Sequence, residues 1–376
     1  MLAMALFLAA GPPTVTLVKA DGRSTQVERN MVMGELARTD WFAMIFAPSP
    51  SLPAMPGAIL ADGSRIAGAF QLGDRESVTI LPSYGNTTLK IPFSAMDVLW
   101  LHHDDEESFT DRYLWLDRRN SDIILLATGE VLRGELEGFE ERSIVLKIEG
   151  KTRSLPLAVV HAIAFNPALS LRKAHSGVRF AVVTASGDRV AGKQLTSDAV
   201  GLSLITSFGA TMKVAWDDVA AIRRWSENVV PLGDLKPKRS ETVPFGQFPW
   251  PPSLNRSVKH QPLRLKTDRG IEAFDSGLGT HPNTTLVYDL HGKYKSFEAT
   301  IGLDAATGRR GSAIVEIFVD DRRQRLAALN PLVASSGPQR VHADVSAAKT
   351  LTLKVNFGPT GDAQADVDWV DARLAK

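Results

Sequence analysis

The chain has 376 residues, of which 44% are apolar, and its 43 Lys and Arg residues balance 42 Asp and Glu residues to a formal net charge of +1. This composition is typical of a folded protein with two to four domains, and it lacks the basic excess of a nucleic-acid-binding protein. The absence of cysteine excludes disulfides, thiolate nucleophiles and cysteine-ligated metal sites.

The first 13 residues, MLAMALFLAAGPP, resemble a secretory signal. The run is apolar from Leu2 to Ala10 and ends in small residues, with Ala9-Ala10-Gly11 as the candidate cleavage region. We therefore expect a secreted or periplasmic protein. No basic residue precedes the run, so the signal is atypical, and a frayed apolar N-terminus is the alternative. No other stretch of the chain is apolar over the length of a membrane-spanning helix.

Residues 14–56 contain a partial structural unit and a linker. VTLVKADGRSTQVE predicts two strands joined by a turn at Asp21-Gly22, and the following MVMGELARTDWFAMIF has a more helical pattern. Four prolines between residues 48 and 56 then predict a linker.

Three later segments repeat one pattern, which predicts β repeats at residues 57–104, 120–168 and 178–228. Each has an apolar strand, a turn with Gly, a second strand and another Gly five positions on. The first Gly suits the positive φ of a tight turn, and the second suits a bulge or bend. The pairs are Gly63/Gly68, Gly129/Gly134 and Gly187/Gly192.

Each repeat continues with two more strands and a short closing strand. IPFSAMDV and LPLAVVHAI predict a single helical turn just before the closing strand. Five short strands in about 45 residues are typical of a small barrel. The opening LADGSRIAG resembles Sm-like or SH3-like small barrels, a resemblance that rests on short motifs and assigns no binding residue. We therefore predict an all-β protein with tandem small β-barrel-like repeats.

Residues 229–262 hold seven of the 21 prolines and predict a connector with extended backbone. Phe245, Phe248 and Trp250 are apolar enough to pack along a domain face. A shorter polar linker, HHDDEE, begins at His102; four adjacent metal-capable side chains on an extended segment do not converge on one ion easily.

Residues 263–376 predict a C-terminal β-sandwich or jelly roll. TTLVYDL, FEATIGL, SAIVEIFVD, RVHADVS and LTLKVNF have the alternating or continuous apolar pattern of short strands, and Asp320-Asp321 predicts a hairpin turn. Tyr288, Phe297 and Trp369 are predicted core residues.

The same segment resembles the NPCBM family of carbohydrate-binding modules, which is galactose-binding-like in fold. The resemblance rests on motifs in order along most of the segment: Gly279/His281, Tyr288/Leu290, Phe297/Gly302/Asp304 and Asp368/Trp369/Ala372/Leu374. It implies non-catalytic binding of a glycan, with galactose-containing glycans among the candidates, at the loop end of the sandwich.

Candidate ligand residues lie in the predicted loops: His281, Asn283, Tyr294, Arg309 and Arg310. For His281, bracing of its loop is an equal alternative, and the arginine pair also suits a solvated turn. Asp304, Asp366 and Asp368 could supply oxygen ligands to a structural calcium, or they could bond loop amides.

The sequence contains no phosphate-binding loop, nucleophile elbow or HExxH motif, so it predicts no enzyme. The first hypothesis is an exported glycan-binding protein that uses the repeats as a scaffold. The alternative is a structural or assembly protein that contacts protein partners through the β repeats. An RNA-binding Sm-like assembly is a third hypothesis, and the neutral charge and the signal segment argue against it.

Overall fold

A computed structural model describes residues 14–52, 56–85, 87–102, 120–170, 177–243, 250–306, 308, 310–324 and 331–376. The signal segment, Phe245, Phe248, most of HHDDEE and Arg309 lie outside these residues. The chain divides into two compact units. Unit 1 consists of Met1–Leu17, Thr25–Ala47 and Leu52–Arg224. Unit 2 consists of Val18–Ser24, Pro48–Ser51 and Trp225–Lys376.

Strands dominate the part of the N-terminal region that is described. The only helix of α type among the described residues is α1 (Val32–Leu36), preceded by a 3-10 turn at Arg29–Met31. The predicted helical segment is therefore half right, because its second half, WFAMI, is a buried strand. The strands here are β1 (Thr14–Lys19), β2 (Ser24–Glu28) and β3 (Trp41–Ile45).

Each of the three repeats contains five strands. Those of the first are β4 (Gly57–Leu60), β5 (Arg65–Gly73), β6 (Ser77–Pro82), β7 (Leu89–Pro92) and β8 (Met96–Trp100). The second has β9 (Asp122–Leu126), β10 (Val131–Glu140), β11 (Ser143–Ile148), β12 (Lys151–Pro156) and β13 (Val160–Ala164). The third has β14 (Arg179–Thr184), β15 (Arg189–Ser197), β16 (Gly201–Thr206), β17 (Thr211–Ala215) and β18 (Val219–Trp225).

The predicted glycine roles and helical turns in the repeats are confirmed. The turn glycines Gly63, Gly129 and Gly187 have φ of 87°, 85° and 95°. A Cβ on Gly192 would lie 2.5 Å from the carbonyl oxygen of Ile205, so the strands approach too closely there for a side chain. Single 3-10 turns precede the closing strands, at Phe93–Ala95, Leu157–Val159 and Trp216–Asp218.

The sequence predicts barrel-like repeats and leaves open whether they are separate barrels or one packed array; the described strands of the repeats form no closed barrel. In the first repeat the closing strand β8 pairs with the opening strand β4 on one edge and with β13 of the second repeat on the other. β18 pairs with β14 and with β3. Neighbouring repeats satisfy these strand edges, and the 15 strands of the repeats join β1, β2 and β3 in one 18-stranded sheet. The resemblance to Sm-like proteins stays a prediction.

The repeats also share one apolar core. Trp41, Ile66, Ile124 and Val190, one from each part of unit 1, are fully buried in the same cluster.

Repeats 1 and 3 exchange equivalent contacts where β5 meets β15 at Arg65 and Arg189. The amide of Ala67 donates to Asp188 Oδ1 at 2.5 Å, and the amide of Ala191 donates to Ser64 Oγ at 2.9 Å. Likewise, Ser83 Oγ donates to Asp188 and Ser207 Oγ donates to Asp62. Since equivalent residues contact each other in both directions, the two repeats are related by an approximate two-fold axis.

Unit 2 is a β-sandwich of two antiparallel sheets. Sheet 1 has the order β21 (Ser253–Leu254), β24 (Gly277–Thr280), β32 (Val367–Ala375), β26 (Ser296–Leu303) and β30 (Gln339–Asp344), and β19 (Val229–Pro231) also pairs with β32. Sheet 2 has the order β20 (Arg239–Thr242), β25 (Thr284–Asp289), β31 (Thr350–Phe357), β27 (Ser312–Val319) and β28 (Arg322–Arg323), and β29 (Leu332–Val333) pairs with β27. A hairpin of β22 (Leu263–Thr267) and β23 (Gly270–Phe274) completes the unit.

The core between the sheets contains the predicted residues: Tyr288 is 1% exposed, and Phe297 and Trp369 are fully buried. The proline-rich segment differs from its interpretation as a connector, because β19, β20 and β21 come from it. These strands have only two to four residues, and Pro231, the one proline within them, ends β19. Prolines therefore interrupt the segment without preventing it from completing the sandwich.

Candidate functional site

Strand direction places several of the predicted site residues at one end of the sandwich. β24 ends where Thr280 pairs with Val367, and β26 ends where Leu303 pairs with Val367. His281 follows Thr280, Asp304 follows Leu303 and Asp366 precedes Val367. These three residues are therefore neighbours. We call this loop end the His281 end.

His281 braces this end through a buried hydrogen bond. Its Nδ1 lies 2.7 Å from Asp366 Oδ1, and the residues are 7% and 6% exposed. The adjacent Thr280 donates its hydroxyl to the carbonyl of Val367 and accepts from the indole of Trp369, both at 3.0 Å. These bonds tie the loop after β24 to the start of β32, which supports the bracing role; direct ligand contact by His281 stays a prediction.

Asp304 and Asp368 lie on the outer face of sheet 1 and are 1% and 0% exposed. The amide of Arg264 donates to Asp368 Oδ2 at 3.0 Å, and the amide of Ala306 donates to Asp304 Oδ1 at 2.9 Å. Burial raises the pKa of both carboxyl groups, and for Asp368 the neighbouring Asp304 raises its pKa further.

A structural calcium at Asp304, Asp366 and Asp368, one of the two interpretations of these residues, stays a prediction. Within the described ranges, no group of three or more His, Cys, Asp or Glu side chains is arranged to hold a metal ion. Asp304 and Asp368 instead accept bonds from loop amides, which was the alternative interpretation of these residues.

The remaining predicted ligand residues are divided between the two ends. Asn283 is at the His281 end, where it adopts φ of 61° and its carbonyl accepts from the amide of Val243. Arg310 is exposed, and its amide donates to Gln364 Oε1 at 3.0 Å. Tyr294 precedes β26, so the eight residues of this strand, roughly 25 Å, separate it from Asp304. Tyr294 is half-buried against the core, which raises its pKa, and it cannot share a small ligand with His281.

Trp250 and Lys259 were not predicted as site residues, yet both are at the His281 end. The ring centroids of Trp250 and His281 are 6.2 Å apart, and Trp250 is 42% exposed. Lys259 Nζ is 3.8 Å from Asp366 Oδ2, with 44% of its side chain exposed. We call Trp250, Lys259, His281 and Asp366 the aromatic–polar cluster. The one sequence signal for it was an isolated Trp within a proline-rich stretch.

A turn positions Lys259 in this cluster. The amide of His260 donates to the carbonyl of Ser257, and the amide of Ser257 donates to the carbonyl of Gln261, both at 2.8 Å. His260 has φ of 59°, a left-handed conformation that reverses the chain directly after Lys259.

The comparisons with known proteins concern mainly the sandwich. Residues 228–375 match the family model described as the NPCBM/NEW2 domain. They form an NPCBM/NEW2 domain. The match includes nearly all of the continuous part of unit 2, together with the strands contributed by the proline-rich segment, and leaves the repeats unassigned. No curated protein matches the chain.

Solved structures of CBM51 modules are similar to the chain. The CBM51 of a Clostridium perfringens GH95 protein, in complex with methyl-galactose, is 25% identical, covers 39% of this chain and 99% of its own, and has a TM-score of 0.35. The CBM51-2 and INT domains of Clostridium perfringens ZmpB, with CBM51-2 in complex with GlcNAc, are 21% identical, cover 50% of this chain and 43% of their own, and have a TM-score of 0.36. Tandem CBM51 modules of a Streptococcus pneumoniae family 98 glycoside hydrolase are 10% identical, cover 96% of this chain and 88% of their own, and have a TM-score of 0.35.

Proposed function

We propose that the NPCBM/NEW2 domain binds a glycan, without catalysis, at the aromatic–polar cluster. The observation that carries the proposal is the exposed indole of Trp250 beside the Lys259–Asp366 pair, within a domain of a carbohydrate-binding family. The repeats would act as the scaffold that presents this domain.

The chemistry of the cluster suits a sugar ring. An exposed indole provides a flat apolar face for the C–H groups of a pyranose. The ammonium of Lys259 can donate hydrogen bonds to hydroxyl groups, and the carboxylate of Asp366 can accept them. Because His281 bonds the other oxygen of Asp366, the carboxylate is held in one orientation before the ligand arrives.

Binding of the full chain to immobilised glycans, followed by calorimetry, tests the proposal. Galactose-containing glycans and GlcNAc form the first panel. Trp250→Ala is expected to weaken binding at least tenfold because stacking against an aromatic face is lost, whereas Trp250→Phe retains part of the affinity. Leu254→Ala is the matched control, since Leu254 is 43% exposed in the same domain. No retention on any glycan, or equal binding by Trp250→Ala, would contradict the proposal.

We also propose export to the periplasm or the cell exterior, which the resemblance of residues 1–13 to a secretory signal supports. Among the residues that are described, no helix has the length and apolar character needed to cross a membrane. Cell fractionation with N-terminal sequencing of the mature protein tests export, and an uncleaved protein found only in the cytoplasm would contradict it.

Protein assembly through the repeats is the second candidate function. In repeat 2 and the turn after it, the apolar side chains of Val131, Val159 and Leu169 are 37%, 42% and 67% exposed, and a protein partner that covered them would remove this apolar surface from water. Light scattering of the full chain is expected to show an oligomer that Leu169→Ser weakens. A monomer at all concentrations, together with no protein recovered on immobilised chain, would contradict this function.

A further inference from the structure

Unit 2 contains a cavity that the aromatic–polar cluster does not use. Its volume is about 550 Å³, and it lies between the β22–β23 hairpin, the end of β26 and the segment 333–338. Binding sites for small ligands commonly have volumes of roughly 300–1,000 Å³, so this cavity is large enough for one small molecule. None of Trp250, Lys259, His281 and Asp366 lines it, so it is a separate site.

A glycine in the sheet lines the cavity. Gly302 faces the hairpin, and a Cβ there would lie 2.8 Å from Leu265 Cδ2. A larger residue would have to displace the Leu265 side chain, so glycine allows the hairpin to pack closely against β26 beside the cavity. The walls are mainly apolar: Leu265, Ile271, Leu303, Val333 and Pro338. Ile271 is 51% exposed, so an apolar ligand would cover surface that now faces water.

Two of the residues that line the cavity have ionisable side chains. Lys266 is exposed, whereas Asp304 is 1% exposed and uses one oxygen to accept from the amide of Ala306. A ligand in the cavity therefore meets an accessible cation at Lys266 and a largely covered carboxyl group. The polar groups are too few to satisfy the many hydroxyls of a sugar, which would lose their bonds to water.

We propose that this cavity binds a small amphiphilic monoanion. The apolar body packs against Ile271, Val333 and Pro338, and the anionic group pairs with the ammonium of Lys266 at the rim. Apolar area and one charge-assisted contact together select this class over neutral sugars and over cations.

Fluorescence titration of the full chain with 8-anilinonaphthalene-1-sulfonate, an apolar anion, tests the proposal, and uncharged N-phenyl-1-naphthylamine is the matched probe. We expect one anionic probe per chain. Lys266→Gln weakens the anionic probe about three- to fivefold and leaves the neutral probe unchanged, because only the charge is removed. Ile271→Gln weakens both probes, since its apolar wall is lost.

Lys293→Gln is the control variant. Lys293 is an exposed lysine just before the start of β26, at the opposite end of this strand from the cavity, and it does not line the cavity. It is expected to change neither titration. Lys266 and Ile271 are exposed, so their variants should fold, and circular dichroism checks this. The proposal is overturned if the anionic probe does not bind, if neither variant weakens it, or if Lys266→Gln weakens both probes equally. Glycans that bind the chain are expected not to displace the probe, so each proposal can fail without the other.

Discussion

At the residue scale, the bracing of the His281 end depends on one buried pair. His281→Ala removes the hydrogen-bond partner of Asp366 Oδ1, a buried carboxylate oxygen, so we expect a loss of about 2 kcal/mol in the free energy of unfolding. Urea unfolding followed by tryptophan fluorescence measures it. His291→Ala is the control, because the His291–Asp289 pair is 3.2 Å long and its histidine is 62% exposed. Equal unfolding midpoints for the two variants would show that the buried pair contributes nothing.

The raised pKa of Asp368 predicts how the stability of unit 2 depends on pH. Its pKa in the folded state is raised, so the folded state binds the proton more tightly than the unfolded chain does. The resulting stabilisation is present at low pH and decreases as pH rises from about 4, the unfolded value, through the folded pKa.

Asp368→Asn removes this titration and keeps an oxygen that can accept from the amide of Arg264. We therefore expect the variant to have the higher melting temperature at pH 7, and the difference from the parent to shrink towards pH 4. Melting curves recorded from pH 4 to 8 measure it. A difference that stays constant across this range would contradict the assignment.

Sequence reasoning identified part of the candidate site at this scale. It selected His281, Asp304 and Asp366 separately, but the bond between His281 and Asp366 joins residues 85 positions apart and only the fold reveals it. It placed Tyr294 with His281 because both are in loops, although alternate loops of a sandwich lie at opposite ends. Trp250 was missed because proline-rich context indicates a connector equally well.

At the element scale, the second glycine of each repeat hairpin should be irreplaceable. In Gly192→Ala the new Cβ would lie 2.5 Å from a backbone oxygen that is fixed in the sheet, so we expect a loss of about 2 kcal/mol or more. Gly34→Ala is the control: Gly34 lies in α1, a Cβ added there would meet no atom within 4 Å, and alanine should stabilise the helix by up to about 1 kcal/mol. Chemical unfolding of the two variants is expected to shift in opposite directions.

The elements themselves were largely predictable where glycine and alternation determine local structure. The hairpin at Asp320-Asp321 is a tight turn with φ of 47° and 65°, as charged turn residues between apolar strands indicate. The strands β19 to β21 were not predictable, because two to four residues carry too little periodicity and their pairing is with distant strands.

At the scale of the whole molecule, the contact between repeats 1 and 3 depends on Asp188. This carboxylate is fully buried and accepts from Ala67, Ser83, Thr184 and Ser186. In Asp188→Ala these donors lose their acceptor together, and we expect a loss of about 3 kcal/mol or more.

Ser207→Ala is the matched control for Asp188→Ala. It removes the bond from Ser207, the counterpart of Ser83, to Asp62 on the other side of the two-fold axis. Only this one bond is lost, so a smaller loss is expected. Thermal unfolding of both variants measures the difference. Equal effects would show that the burial of Asp188 gives it no special role.

Sequence periodicity revealed three repeats, but not how they associate. The same strand pattern can close on itself or pair with a neighbour, and the choice depends on strand edges that are distant in sequence.

The reciprocal contacts of repeats 1 and 3 are those of an isologous dimer contained within one chain. In a true homodimer both sides of such a contact are identical, because one sequence supplies both. Within one chain each side has its own residues, so Ser64 stands on one side of the axis and Asp188 on the other. The two halves of this pseudo-symmetric interface can therefore be altered one at a time, which no homodimer allows.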